Sequence, residues 1–339
     1  MRRSFLAGGL AVAVTGVRAG QHPRIGQGEI DGITEAARSI RTADMAGRLD
    51  AGDLRVAYQV IADAEQLSWQ ANCPPALHDR LSTAVGELAT NVGFAAHDAG
   101  RDDEAEALWR LAYRCSCDAS NTSLLARVQQ CRARRLLWLG FPTEATKAVD
   151  RVLDSDRLPD LNDTEKGALW GFMSRCLAGV GDTDHARRAI DRADRHMAAH
   201  DPGHGQEHPW WGHYDMGHHW GDTGAALRVL AQQAQGRETL GGQSAARLKA
   251  AAEDHGKAAV LRSQAMAAVG LAYTDMTLGD VRFAAVEGDA VLDLVTGQHV
   301  RSGRVFAEVG RLRDEAAKYR ARVPECADLV DHCNTVLAA

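Results

Sequence analysis

Residues 124–139 read LLARVQQCRARRLLWL, and residues 140–145 continue GFPTEA. Leu124, Leu125, Val128, Cys131, Leu136 and Leu139 fall near the i, i+3, i+4, i+7 spacing that puts apolar side chains on one face of an α-helix. Gly140 stands where that helix ends, and a left-handed C-terminal cap costs glycine little. Pro142 and Thr143 suit the first turn of a second helix, where proline causes no mid-helix clash. The second helix, near Thr143–Leu153, carries Ala145, Ala148, Val149 and Val152, and small side chains let two helices approach closely. The product is a helix hairpin whose apolar face can be buried only by neighbours of the same kind.

Those neighbours are present. The glycine-led phrase occurs as Gly100-RDDEA, Gly140-FPTEA and Gly181-DTDHA, and a fourth copy is read at Gly221-DTGAA. The period is near 40 residues, and a fifth phrase, Gly279-DVRFAA, follows 58 residues later. In the unit after Gly140, Asn162 or Asp163 can cap LWGFMSRCLAGV, Gly181 ends that helix, and Asp182 or Thr183 can cap HARRAIDRADRHM. Strand-like alternation is nearly absent. The expectation is an all-α fold, a right-handed superhelical solenoid of about five or six tetratricopeptide-like helix hairpins. The repeat domain is placed at 23–320 and a C-terminal capping segment at 321–339, with a charged amphipathic helix from Val305 to Tyr319 able to close the array. Residues 201–213 (DPGHGQEHPWWGH) and 236–243 (GRETLGGQ) are expected to be loops.

Composition narrows the class. The 339 residues carry 39 Lys and Arg against 45 Asp and Glu, a formal net charge of −6. That balance argues against a stand-alone DNA-binding module, whose affinity comes from basic contacts to phosphate. No stretch reaches the roughly 18 apolar residues of a membrane-spanning helix. Seven cysteines, an odd count in a large chain, argue against a disulfide framework, and most read as small buried hydrophobes, which favours a reducing compartment. Residues 1–22 begin Arg2-Arg3-Ser4-Phe5-Leu6 and continue AGGLAVAVTGV. They read either as a twin-arginine-like export leader with a poor cleavage site or as an N-terminal packing helix.

The GRDDEA and GFPTEA phrases, with hairpins between them, resemble tetratricopeptide-type repeats. The chain as a whole resembles the repeat portion of actinobacterial Cro/C1-type helix-turn-helix transcriptional regulators. The matching pieces are RRSFLAGGLA, RIGQGEIDGI (24–33), ELATNVGFAAHDAGRDDEA (87–105), HPWWGHYDMGHHWGDTGAAL (208–227), LAYTDMTLGD, and the segment Arg301-Ser302-Gly303-Arg304. The resemblance implies a role in transcriptional control of development or secondary metabolism. Such regulators carry an N-terminal DNA-binding domain. None is expected before Arg24, so direct nucleic-acid binding is not carried over.

Candidate site residues follow from the array. First helices line its concave face, which in repeat proteins takes peptides or helices. Asn91, Arg127, Gln130, Arg134 and Arg175 lie there, able to hold a peptide backbone or a carboxylate; the alternative is a solvated helix face. Trp210, Trp211, Tyr214 and Trp220 cluster, and are read as packing between irregular repeats or as an aromatic pocket. Seven histidines fall between His196 and His219. His196 and His200, at i, i+4, are weak metal candidates, because Pro202, Gly203, Gly205 and Pro209 break the register and no H-E-x-x-H is present. No phosphate loop, dinucleotide fingerprint or nucleophile elbow occurs, so no enzyme activity and no cofactor are expected. The expected function is a cytoplasmic regulatory or scaffold protein binding a protein or peptide partner, with a small-molecule effector and a homodimer as further options. The alternatives are an exported binding protein or a metal protein using 196–219.

Overall fold

The computed structural model describes residues 25–46, 49, 51–70, 73–200, 208–233, 237–300 and 302–338. The twin-arginine segment, 1–22, lies outside the described residues. The described part of the fold is all-α and contains fourteen α-helices. The first six are α1 (Gln27–Met45), α2 (Ala51–Gln70), α3 (Pro75–Asp98), α4 (Asp102–Asp118), α5 (Thr122–Trp138) and α6 (Pro142–Leu153). Then come α7 (Asp163–Val180), α8 (Thr183–Ala198), α9 (Met216–Gln233) and α10 (Arg237–Lys257). The last four are α11 (Leu261–Leu278), α12 (Val281–Gly297), α13 (Gly303–Ala317) and α14 (Pro324–Ala338). No described helix is long and apolar enough to cross a membrane.

The hairpin read from residues 124–153 is present. Asn121 caps α5 by accepting from the Leu124 amide, 3.0 Å away. Gly140 turns the chain at φ +84°, and Pro142 opens α6. Gly100, Gly181 and Gly279 take the same left-handed conformation between α3 and α4, α7 and α8, and α11 and α12. Asn162 and Glu165 form a capping box on α7, and Asp182 caps α8. Ala145, Ala148, Val149 and Val152 are all buried, as the close approach of α5 and α6 requires.

Three sequence readings need correction. Gly221-DTGAA is not a hairpin turn: it lies inside α9, and Gly221 is not among the left-handed glycines. Periodicity alone cannot distinguish a glycine that ends a helix from one that thins a helix for close packing. Gly224 in the same phrase is of the second kind, since a Cβ there would lie 3.0 Å from Leu248. Residues 237–243, read as a loop, begin α10. Gly241 packs so tightly on Leu278 that a Cβ would come within 2.5 Å. The fourteen described helices pair into seven hairpins, more than the expected five or six, and the links between hairpins before α5, α11 and α13 reverse through Ser120, Ala259 and His299 rather than glycine.

The odd-numbered helices α1 to α7 contact one another in order, α7 meets α9, α9 meets α11, and α11 meets α13. They form the inner layer, with the even-numbered helices packed outside. The core follows the array in three clusters. One runs from Ile25 to Tyr214, a second joins α7–α10 through Ala178, Ile190, Leu227 and Leu240, and a third runs from Ala265 to Val336. The superhelix is tight enough that α1 touches α11, and the end of α3 meets the start of α13 through Ser302 Oγ, which donates to Asp98 over 2.8 Å.

Candidate functional site

The closed inner layer surrounds a cavity of about 130 Å³ that continues into a second of about 390 Å³. Its wall is built from polar side chains that each inner helix carries inside an otherwise apolar run. Seven arginines line the first cavity, against the carboxylates Asp44, Asp222 and Glu308. A buried charge is tolerated only when paired and hydrogen-bonded, and most of these are. Asp222 on α9 receives Arg134 from α5 through two bonds, 3.2 and 3.3 Å, and Arg175 from α7 at 2.8 Å. Arg228 on α9 grips Glu308 on α13 at 2.8 and 3.2 Å. Arg262 on α11 donates to Asp44 on α1 at 2.6 Å and lies 3.6 Å from Asp98. Arg304 reaches Asp98 at 2.6 Å. Arg41 bonds Glu87 at 3.0 Å and the Pro209 carbonyl at 2.6 Å.

These pairings hold Asp222, Glu308 and Asp98 ionised, whereas at Asp44 and Glu87 burial outweighs Arg262 and Arg41 and raises the carboxyl. Burial would raise the Asp222 carboxyl, but Arg134 and Arg175 outweigh it and hold it well below the carboxylate range. Burial likewise opposes ionisation of Glu308, and Arg228 overcomes it, bringing the carboxyl down to about 2. Asp98 is held low by Arg304 and Arg262 against the same burial cost.

Arg127 differs from the other six. It is 6% exposed on the cavity wall. Among the described residues it has no carboxylate partner and bonds only the Gln130 side-chain oxygen, and its Nε is unsatisfied. Burial therefore presses its pKa below the usual arginine value. Its guanidinium lies 5.6 Å from the Phe94 ring and 5.5 Å from Trp211. Phe94 also faces Arg262 and Arg304, at 5.4 and 4.5 Å. Counting Glu87 and Asp98 behind the wall, five carboxylates face seven arginines, so the cavity holds a positive excess inside an acidic chain.

The structure gathers Asn91, Arg127, Arg134 and Arg175 on this wall. Asn91 and Gln130 also brace the layer, donating to the carbonyls of Ala37 and Ala168. Trp210, Trp211 and Tyr214 are buried. A short 3₁₀ turn, Pro209–Trp211, seats both indoles on α5, where their N–H groups reach Ser123 Oγ at 2.8 Å and Ser123 O at 3.2 Å. His196 and His200 bond Asp163 and Thr164, each at 2.8 Å. Among the described residues the group of three potential metal ligands is Asp215, His218 and His255, which includes neither.

Sequence reading missed Asp44, Phe94, Asp98, Arg228, Arg262, Arg304 and Glu308. A usable signal was a lone charge in an apolar helix: Arg262 precedes twelve residues of α11 without Asp, Glu, Lys or Arg.

Fold and site together define a helical repeat protein with an arginine-lined central cavity. No family model matches the chain, and no curated protein does. Among solved structures it is similar to a circular tandem repeat protein with novel repeat topology and enhanced subunit contact surfaces. That similarity has 12% identity and a TM-score of 0.26, over 92% of this chain and 76% of that one.

Proposed function

We propose that the protein is a regulatory repeat scaffold that works by binding rather than by catalysis, and that its central cavity captures an anionic ligand. The observation that carries this reading is Arg127, a buried cation facing the cavity without a carboxylate. A carboxylate or phosphate brought to it would gain a charge-assisted hydrogen bond in a low-dielectric site. A small acid or the C-terminal carboxylate of a peptide fits this chemistry, and the Phe94 ring on the cavity wall offers apolar area beside the charge. Capture would bias the superhelix between two curvatures, since the cavity wall draws on every inner helix, and a partner protein would read the change. Transcriptional control, implied by the resemblance to the repeat portion of helix-turn-helix regulators, belongs to this proposal, as does a cytoplasmic location.

The test is a thermal-shift comparison of matched pairs: short carboxylic acids with their amides, phosphate monoesters with their alcohols, and dipeptides with free or amidated C-termini. The expected result is a rise in Tm with one class of acid and none with its neutral counterpart. Equal shifts within every pair would overturn the reading.

A further inference from the structure

We propose that Asp215, His218 and His255 bind one divalent transition-metal ion, such as zinc, in the cavity wall. The three residues offer ligand atoms that all lie within 4.8 Å of one another. They come from the two ends of one hairpin. Asp215 immediately precedes α9, His218 stands in its first turn, and His255 in the last turn of α10. The two imidazoles cross at 74° with centroids 4.5 Å apart.

Local structure explains part of this arrangement. Asp215 caps α9, accepting from the His218 amide and from His218 Nδ1, each at 2.9 Å. It does not explain His255. That side chain is 2% exposed, and its Nδ1 has no hydrogen-bond partner among the described residues. A buried polar atom left unsatisfied costs stability and calls for a reason. The backbone opposite is glycine: a Cβ on Gly217 would stand 3.0 Å from His255 Nδ1 and 2.9 Å from its Cε1. Space is thus kept against the edge of the ring that carries the unsatisfied nitrogen.

Two imidazoles and one carboxylate are a donor set suited to zinc and to other first-row ions. Zinc–ligand bonds of about 2.0–2.1 Å put tetrahedral ligand atoms roughly 3.3 Å apart, so side-chain rotations that close the separations by up to about 1.5 Å complete the site. His218, His255 and Ser263 line the same cavity as Arg127. An ion here leaves a coordination position for water or for a ligand group, and adds positive charge to the wall. The site does not depend on the anion reading, and its test uses no anionic ligand.

The experiment is calorimetric titration of zinc chloride into chelator-stripped protein, with cobalt(II) visible absorption as a second readout. Wild type is expected to bind one equivalent. His218→Ala, at a partly exposed position, and His255→Gln are each expected to lose more than the roughly 10–100-fold in affinity that an outer-sphere change costs. His196→Ala, at a histidine outside the group and bonded to Asp163, is expected to match wild type. Circular dichroism checks that each variant is folded, and His218→Ala decides if His255→Gln is not. Absence of zinc binding by wild type, or undiminished binding by folded His218→Ala, would overturn the proposal.

Discussion

Arg127 and Asp222 share one cavity wall but should answer mutation in opposite ways. Asp222 neutralises Arg134 and Arg175 together. Removing one partner of a buried ion pair leaves uncompensated charge, at a cost of about 3–5 kcal/mol. Asp222→Ala is therefore expected to lower stability by that order in urea denaturation. Arg127 compensates no buried acid, so Arg127→Met is expected to leave stability unchanged or higher while removing the proposed anion contact. Glu308 supplies a pH signature. Its folded pKa, about 2, lies below the ordinary 4.5, so the unfolded chain takes up the proton first. The stability this contributes is complete above about 4.5 and is lost as pH falls towards 2. Glu308→Gln should thus be less stable than wild type at neutral pH, with the difference closing as the solution is acidified; a constant difference would contradict the assignment. Arg127, Arg134 and Arg175 were readable as polar positions on first helices. Asp98 and Arg304 were not, because their pairing spans 206 residues and leaves no local trace.

Helix turns in this chain use two kinds of left-handed residue. Gly140 sits at φ +84° with open space around the site of a Cβ, so Gly140→Ala meets only a backbone penalty, about 1–2 kcal/mol. Ala259 already bears that penalty at φ +54°. In Ala259→Gly the relief is offset by the greater freedom of glycine in the unfolded chain, so a net change under about 1 kcal/mol is expected. Urea midpoints of the two variants check this contrast. The same chemistry explains what was legible in the elements. Gly100, Gly140, Gly181 and Gly279 mark turns and were found, whereas Ser120, Ala259 and His299 make equivalent turns without a sequence signature. Gly221 and the glycines at 241–242 were misread because they lie inside α9 and α10, where Gly224 and Gly241 serve packing rather than chain reversal.

Over the whole molecule, closure of the superhelix depends on a few long-range contacts. Arg262 joins α11 to Asp44 on α1 and to Asp98 on α3. Arg262→Ala should leave both acids short of a counter-charge, loosen the first repeats from the later ones, and increase the radius of gyration in small-angle scattering. Arg320→Ala, which breaks an exposed pair with Asp331, should leave that radius unchanged, because exposed pairs contribute about 0–1 kcal/mol. Hairpin repetition could be read along the sequence, but curvature could not. It is the sum of small rotations between repeats, and it alone brings residues 44 and 262 together. The cavity and its positive excess follow from that closure. The most direct measurement is calorimetric titration of the matched acids and neutral analogues into wild type and Arg127→Met. The account predicts that at least one acid binds wild type, and that its affinity falls more than about tenfold, or 1.4 kcal/mol, in the variant. Equal affinity for both proteins, or equally tight binding of the neutral analogue, would contradict it.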